Sequence, residues 1–154
     1  MKIDERHTLA SNPFWLSELI GFFNQGYGDK APFELVYLAA PLILRQESRR
    51  KISSLNSTST IYSAFLESKE KRTKIAGLQK HVESYKHLVI PSLIVYSNKG
   101  NKFGLRLQNG KKYQYNKVDN KQVREYCKAA YILGKIFAKE STKECFYKLG
   151  VFSL

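Results

Sequence analysis

The residue types that most often carry catalytic chemistry are few and scattered in this sequence. The histidines are His7, His81 and His87, and the six-residue separation of the last two differs from the i, i+4 spacing of a helical metal site. The sequence has neither common glycine-rich phosphate-binding pattern, no serine in a nucleophile elbow and no repeated acidic pair suited to magnesium. We therefore expect no catalytic residues, no metal site and no cofactor, and predict that the protein is not an enzyme.

The two cysteines, Cys127 and Cys145, are too few for a disulfide framework and lack the close pairing of a zinc knuckle. A reducing, cytoplasmic location fits this usage best. No apolar run approaches the roughly 18 residues that a membrane-spanning helix needs, and the charged residues 1–7 lack the apolar segment of a signal peptide. We expect a soluble protein without a membrane partner.

Basic side chains are the chemically distinctive group. The formal net charge is +13, and residues 1–68 hold seven basic and seven acidic side chains. Residues 69–154 hold 19 basic side chains against six acidic ones, so the whole net charge lies there. A field of that sign attracts phosphates. The residues predicted to bind nucleic acid are Lys99, Lys102, Arg106, Lys111, Lys112 and Lys117.

This basic patch has three interpretations. Lysine contacts a phosphate backbone without reading bases, so nucleic-acid binding through it would carry no sequence preference. The alternatives are contact with another polyanion, such as an acidic surface of a partner protein, and a solvated lysine-rich face that serves only solubility.

The length and composition predict one folded domain over residues 1–154. The chain contains 43% hydrophobic residues, with nine Phe and ten Tyr, which is enough apolar material to form a core despite the charge. We expect a neutral helical half, 1–68, and a basic half, 69–154, that carries a hairpin wing and C-terminal helices.

Local signals place the elements of the neutral half. Asn12 and Pro13 suit the N-cap and first position of a helix over 13–25, which Gly26 or Gly28 ends in left-handed geometry. The apolar run 33–44 predicts a buried helix kinked at its internal proline. Further predictions are a loop over 53–60, helices over 60–67 and 69–87, and a segment 91–97 left open between helix and strand, with helix favoured.

The clearest turn signal is Asn109-Gly110, which favours a type I′ turn between strands over 103–107 and 111–115. In both strands apolar residues alternate with polar or basic ones, which predicts an apolar face and an exposed basic face. Beyond this hairpin, Asp119 is the predicted cap of a helix that reaches about Lys139.

Ser141 and Glu144 form a capping box for a last short helix, which Gly150 ends. Helices that flank a basic hairpin resemble a winged-helix arrangement. The predicted fold class is therefore mainly α with a small β-hairpin (α+β), a winged-helix-like helical domain.

Three stretches taken together point to a family. They are Asn-Pro-Phe-Trp at 12–15 with Phe-Phe-Asn-Gln-Gly-Tyr at 22–27, the proline-containing apolar run 32–44 with Arg49, and Leu-Gly-Lys-Ile-Phe-Ala at 133–138 with Leu-Gly-Val at 149–151. Their order and spacing resemble the middle component of three-component ABC-ATPase (ABC-3C) systems. Ala40 precedes the proline where the family has a larger apolar residue, and Lys135 replaces a common Arg. Most of the motif side chains are expected in the core: Phe14, Phe22, Tyr27, Leu38, Leu42 and Phe137.

The resemblance implies a bacterial conflict system, similar in organisation to Lamassu antiphage defence. Such a system combines an SMC-like ABC ATPase, an effector that is often a nuclease, and a small bridging subunit without catalytic residues. We therefore predict a non-enzymatic adaptor in an antiphage or anti-plasmid complex, with double-stranded DNA contacted through the complex. The alternative is a free-standing winged-helix DNA-binding regulator.

Overall fold

The computed structural model describes residues 11–154, and helices dominate this part of the chain. The α-helices described there are Pro13–Tyr27 (α1), Leu35–Leu44 (α2), Gln46–Ser53 (α3), Lys69–Thr73 (α4), Leu78–Asn98 (α5), Lys121–Phe137 (α6) and Thr142–Lys148 (α7). Two short antiparallel strands, Lys102–Phe103 (β1) and Leu107–Gln108 (β2), form a small sheet. The predicted class, mainly α with a small β-hairpin, is confirmed. His7 and the stretch 1–7 lie outside the described residues.

The start of α1 follows its local sequence. The Asn12 side chain accepts a hydrogen bond from the Phe14 backbone N–H at 2.9 Å, and Pro13 occupies the first turn, where no donor is needed. Gly28 ends the helix with a φ of 110°. Gly26 does not end it, because the helix continues to Tyr27.

The apolar run predicted as one kinked helix over 33–44 forms α2, and a break in the helical backbone comes after the run. Pro41 lies inside α2, and the break falls at Arg45, whose extended backbone (φ −83°, ψ 127°) separates α2 from α3. Arg49 stabilises this break, since its Nη1 donates to the carbonyl oxygens of Ile43 and Leu44 at 3.2 and 3.0 Å. These carbonyls lie at the end of α2, where no helical N–H reaches them.

The helix predicted over 69–87 is wrong in its bounds. Gly77, with a φ of 74°, interrupts it, so the short α4 is followed by turns and by the longer α5. Helix α5 then passes through Pro91 to Asn98, which resolves the open segment 91–97 as helix. The helix predicted over 60–67 is a π-helical turn, Tyr62–Leu66.

Helices α1 and α6 cross closely at glycine positions. A Cβ atom at Gly26 would collide with the Tyr131 carbonyl oxygen, and one at Gly134 would collide with the Phe23 carbonyl oxygen. The rings of Phe23 and Phe137 meet edge to face beside this crossing, with centroids 5.8 Å apart. The buried side chains of both sequence halves form one hydrophobic cluster.

The ends of the C-terminal helices match the sequence signals with one shift. Asn120 rather than Asp119 caps α6, since its side-chain oxygen accepts from two backbone N–H groups of the first turn. Ser141 caps α7 through the Glu144 N–H at 3.1 Å, and Gly150 (φ 73°) follows that helix. One motif residue expected in the core, Phe14, is 65% exposed.

Candidate nucleic-acid interface

The six basic residues predicted to bind nucleic acid all belong to the stretch 99–118. This stretch begins after α5 and is here called the 99–118 segment. Its hairpin differs from the prediction. Strands β1 and β2 are joined by residues 104–106, and Asn109-Gly110 follows β2 instead of forming the turn. Neither residue has the positive φ that a type I′ turn requires. The predicted strand over 111–115 is not formed, and 115–117 is a 3-10 turn.

Asn109 does not form a turn because its backbone N–H and its side-chain amide bind α1, α5 and the loop after α1. Its side-chain oxygen accepts from the Tyr96 hydroxyl at 2.6 Å and from Asn24 Nδ2 at 3.0 Å. Its own Nδ2 donates to the Gly21 carbonyl at 2.9 Å, and its backbone N–H donates to Asp29 Oδ1 at 2.7 Å. Several tertiary bonds therefore outweigh the local turn preference of the dipeptide.

Asn24, in the last turn of α1, is the centre of this network and is fully buried. Besides Asn109, its Nδ2 donates to Asp29 Oδ1 at 3.1 Å, while its Oδ1 accepts from the Ala31 N–H at 2.8 Å. Burial raises the pKa of the Tyr96 hydroxyl well above its ordinary value, so that group stays protonated and donates.

A second set of bonds holds the neighbouring turn. Asn101, 5% exposed, donates from Nδ2 to the Tyr96 carbonyl at 2.9 Å and to the Tyr113 hydroxyl at 3.0 Å, and its oxygen accepts from the Gly110 N–H. The Tyr113 ring rests on α1 where Gly21 has no side chain. Burial, the largest cause, raises the pKa of Tyr113.

The strand side of the segment pairs with the loop after α1. The Leu107 N–H donates to the Ala31 carbonyl at 2.8 Å, and Phe33 N–H donates to the Leu105 carbonyl at 3.3 Å. Leu107 is buried, but Leu105 is 82% exposed, which contradicts the predicted apolar face of alternating residues. The irregular backbone between β1 and β2 turns this side chain outward.

Three of the predicted basic residues are engaged with the protein. Lys99 forms an ion pair with Glu18 at 2.7 Å. Arg106 donates to the Lys30 carbonyl at 2.9 Å. The Lys111 ammonium lies 5.0 Å from the centroid of the Tyr113 ring. These contacts leave Lys99 and Arg106 less available for a phosphate than the sequence suggests.

The other three, Lys102, Lys112 and Lys117, are exposed and make no ion pair with a residue of the described chain. The segment thus presents free ammonium groups on a backbone that buried side chains fix in place. The prediction that its basic side is exposed agrees with this arrangement. That these six residues bind nucleic acid remains a prediction.

A cleft of about 480 Å³ opens between this segment and the helices. We call it the tyrosine cleft, and it is lined by Gln25, Lys112, Tyr113, Gln114, Tyr115, Asn116, Lys117 and Tyr131. The rings of Tyr115 and Tyr131 are tilted by 50° with centroids 5.3 Å apart. Lys135, one turn further along α6, places its ammonium 5.5 Å from the Tyr131 ring centroid.

The tyrosine cleft was not anticipated from the sequence, because α1 and α6 supply Gln25 and Tyr131 from far along the chain. The alternation of Tyr113 and Tyr115 with Lys112 and Gln114 is its one local sign, and that alternation predicts a strand instead of a cleft. Gln25 Oε1 accepts from the Tyr113 N–H at 3.2 Å, which fixes that side chain at the edge of the cleft.

Other candidate chemistry in the described residues is limited. Both cysteines are free and buried, and burial raises the pKa of each thiol to about 12. Between residues 11 and 154 no three His, Cys, Asp or Glu side chains come together in a group that could hold a metal ion. Within the same range, every helix is too short or too polar to cross a membrane.

Comparison with known proteins identifies a family. The sequence model of the family described as ABC-three component (ABC-3C) system Middle Component 3 matches residues 1–153. No curated protein and no solved structure matches the chain.

Proposed function

The chain belongs to the Middle Component 3 family of ABC-three component systems, and from this premise we propose that it is a non-enzymatic adaptor. It joins an SMC-like ABC ATPase to an effector, expected to be a nuclease, in the bacterial cytoplasm. Its basic side contributes contacts to double-stranded DNA when the complex is assembled. The organisation would be similar to that of Lamassu antiphage defence.

The observation that carries the DNA contact is the exposed, rigidly held 99–118 segment. Free ammonium groups at Lys102, Lys112 and Lys117 lie on a backbone that buried Asn24, Asn101 and Tyr96 attach to the helices. The lysines neutralise the charge of a phosphate backbone that binds this surface. Because buried side chains already hold the segment in place, binding carries no free-energy cost for ordering the loop. The neutral half would supply protein contacts.

The bridging role is tested by co-expression of the three components. A tagged ATPase should retain the effector only when this chain is present. If the effector is retained equally well without the chain, the adaptor role is wrong.

The DNA contact is tested by the double variant Lys111→Glu/Lys112→Glu in the assembled complex. We expect weaker DNA binding across all sequences and a shallower dependence on salt than in the wild type, because two phosphate contacts become repulsive. The matched control is Lys69→Glu/Lys143→Glu, which changes two exposed lysines elsewhere by the same charge.

Two other outcomes of this experiment contradict the DNA contact. If the Lys111 and Lys112 variant dissociates from the complex in a pull-down while the control does not, the segment binds an acidic protein surface. If both variants bind DNA and partners as the wild type does, the charge serves solubility alone.

The alternative function, a free-standing winged-helix DNA-binding regulator, makes a different prediction. A regulator should bind a short duplex as a purified dimer, with clear sequence preference. An adaptor should bind duplex weakly by itself and copurify with large partners. Size-exclusion chromatography and titration of the purified chain with duplexes of different sequence distinguish the two.

A further inference from the structure

The hydroxyl groups of two neighbouring tyrosines in the tyrosine cleft have no structural role. Tyr115 and Tyr131 are half-buried, and in the described chain neither hydroxyl forms a hydrogen bond with the protein. Their rings pack together at 5.3 Å and line the cleft. Flat, half-exposed rings of this kind suit stacking with a planar ligand.

The polar groups of the cleft indicate which chemical groups accompany the planar ring of such a ligand. Lys112 and Lys117 line it, Lys135 lies over the Tyr131 ring, and the described lining residues include no carboxylate. The amide of Gln25 is held at the edge through its oxygen, which leaves its Nε2 without a partner in the described protein. Cationic groups beside aromatic rings and an amide donor match a phosphate joined to a heterocyclic base.

We propose that the tyrosine cleft binds one unpaired nucleotide of a DNA strand. The base stacks on the pair formed by Tyr115 and Tyr131, and Lys112 and Lys117 bind the adjoining phosphates. The inference rests on the proposed DNA contact and gives it a mode of recognition. A volume of about 480 Å³ accommodates a base with its sugar and phosphate.

The cleft favours unpaired over paired DNA. In a duplex the faces of each base are covered by the neighbouring bases, so only an end, a gap or an extruded base could stack on a protein ring. The exposed lysines nearby would still attract a duplex through its phosphates. The adaptor would thus distinguish DNA with exposed bases from intact duplex.

The first experiment uses the full chain in low salt and compares two fluorescent probes of about 12 nucleotides, oligothymidine and a chain of abasic residues with the same phosphates. We expect the abasic probe to bind about 5- to 100-fold more weakly, the change that loss of base stacking produces. Equal affinities, or no binding of oligothymidine, would overturn the inference. The partner pull-down decides the adaptor role independently of either result.

The second experiment changes the rings. Tyr115→Leu should weaken oligothymidine binding by a similar factor and leave duplex binding unchanged, while Tyr115→Phe should bind normally because the hydroxyl has no partner. Tyr62→Leu, at a 58% exposed ring in the neutral half, is the matched control. Equal losses for single strand and duplex in Tyr115→Leu would show a structural effect and contradict stacking.

A third measurement needs no variant. A strand that contains 5-iodouracil is irradiated with the wild-type chain, and the crosslinked peptide is identified by mass spectrometry. Crosslinks at Tyr115 or Tyr131 support the cleft, and crosslinks confined to other aromatic residues overturn it. An RNA strand of the same length is included, and tighter binding of RNA would overturn the assignment to DNA.

Discussion

Asn24, on α1, determines the position of the 99–118 segment, which is distant from it in the sequence. Its amide connects α1 to Asp29, Ala31 and Asn109, which are distributed over two loops. A fully buried amide must satisfy its donors and acceptor inside the protein, and this requirement selects one arrangement of those loops. One polar side chain thus gives the exposed lysines a fixed geometry.

We predict that Asn24→Ala destabilises the protein by about 2–4 kcal/mol, because the Ala31 N–H and the Asn109 oxygen lose a buried partner. Urea unfolding measures the change. The variant should also be cut faster by trypsin after Lys111 or Lys112. Asn116→Ala, at an exposed position of the same segment, is the control and should change stability by less than about 0.5 kcal/mol. Similar stabilities of the two variants would contradict the central place of Asn24.

Arg49 has a comparable role at the break between α2 and α3. It is 7% exposed, its guanidinium carbon lies 3.7 Å from the Tyr126 ring centroid, and its Nε lies 3.4 Å from Glu125 on α6. The same group binds the carbonyls that end α2. A single planar cation thereby connects three helices, which accounts physically for an arginine at this place in the sequence pattern.

At the scale of the elements, the approach of α1 to α6 depends on residues without side chains. Gly26 and Gly134 each face a backbone carbonyl of the opposite helix. Glycine in a helix costs about 1 kcal/mol relative to alanine, and close packing of the two helices compensates for this loss. The Gly-Tyr and Leu-Gly sequence motifs of these helices are therefore packing motifs.

We predict that Gly134→Ala destabilises the fold by about 3 kcal/mol or more, since its Cβ would meet the backbone of α1 at Phe23 and Tyr27. Gly104→Ala is the matched control, because a Cβ there has open space around it and the backbone has no positive φ. Its effect should stay within about 0.5 kcal/mol. Thermal unfolding compares the two, and a Gly134→Ala variant as stable as wild type would show that the helices separate at no cost.

The sequence predicted the elements whose ends depend on local bonds. The starts of α1 and α7 and the end of α7 just before Gly150 need only an N-cap side chain or a glycine in left-handed geometry. Gly77 interrupts the predicted helix 69–87 by the same local rule, but the apolar spacing across it suggested continuity. The N-cap of α6 is Asn120 and not the predicted Asp119. Both side chains can accept hydrogen bonds from the first turn, so the local sequence does not distinguish them.

The features that depend on tertiary contacts could not be predicted from the sequence. The dipeptide Asn109-Gly110 has the strongest hairpin signal, yet its side-chain amide binds α1 and α5, and the turn forms at 104–106 instead. Exposure of the basic residues was predictable from their charge. The tyrosine cleft was not, since Tyr131 and Gln25 reach it only after α1 and α6 have packed.

At the scale of the whole molecule, charge and core are distributed differently along the chain. The net charge of +13 comes from residues 69–154, whereas the hydrophobic cluster draws on helices of both halves. The basic half therefore cannot be treated as a separate appendage, because α5 and α6 supply much of the core that α1 and α2 cover. Like charges on one part of the surface repel each other, and a polyanionic partner relieves this repulsion.

The same core makes stability sensitive to alkali. Burial raises the pKa of both thiols from 9.0 to about 12, and it also raises the pKa of Tyr96 and Tyr113. Above about pH 9 the unfolded chain therefore loses protons that the folded chain retains. Stability from these groups is fully present below that pH and is lost as the pH rises toward the folded values.

We predict that the two thiols alone remove about 2–3 kcal/mol of stability by about pH 10, roughly one unit above their unfolded pKa. Urea unfolding of wild type and of Cys127→Ala/Cys145→Ala, measured from about pH 8 to pH 10, isolates this contribution. The variant starts lower because it has cavities, but its stability should fall less steeply. Lysine deprotonation relieves charge repulsion in the opposite direction and equally in both proteins, so the difference between their slopes reports the thiols. Equal slopes would mean that the folded protein ionises its cysteines as readily as the unfolded chain does.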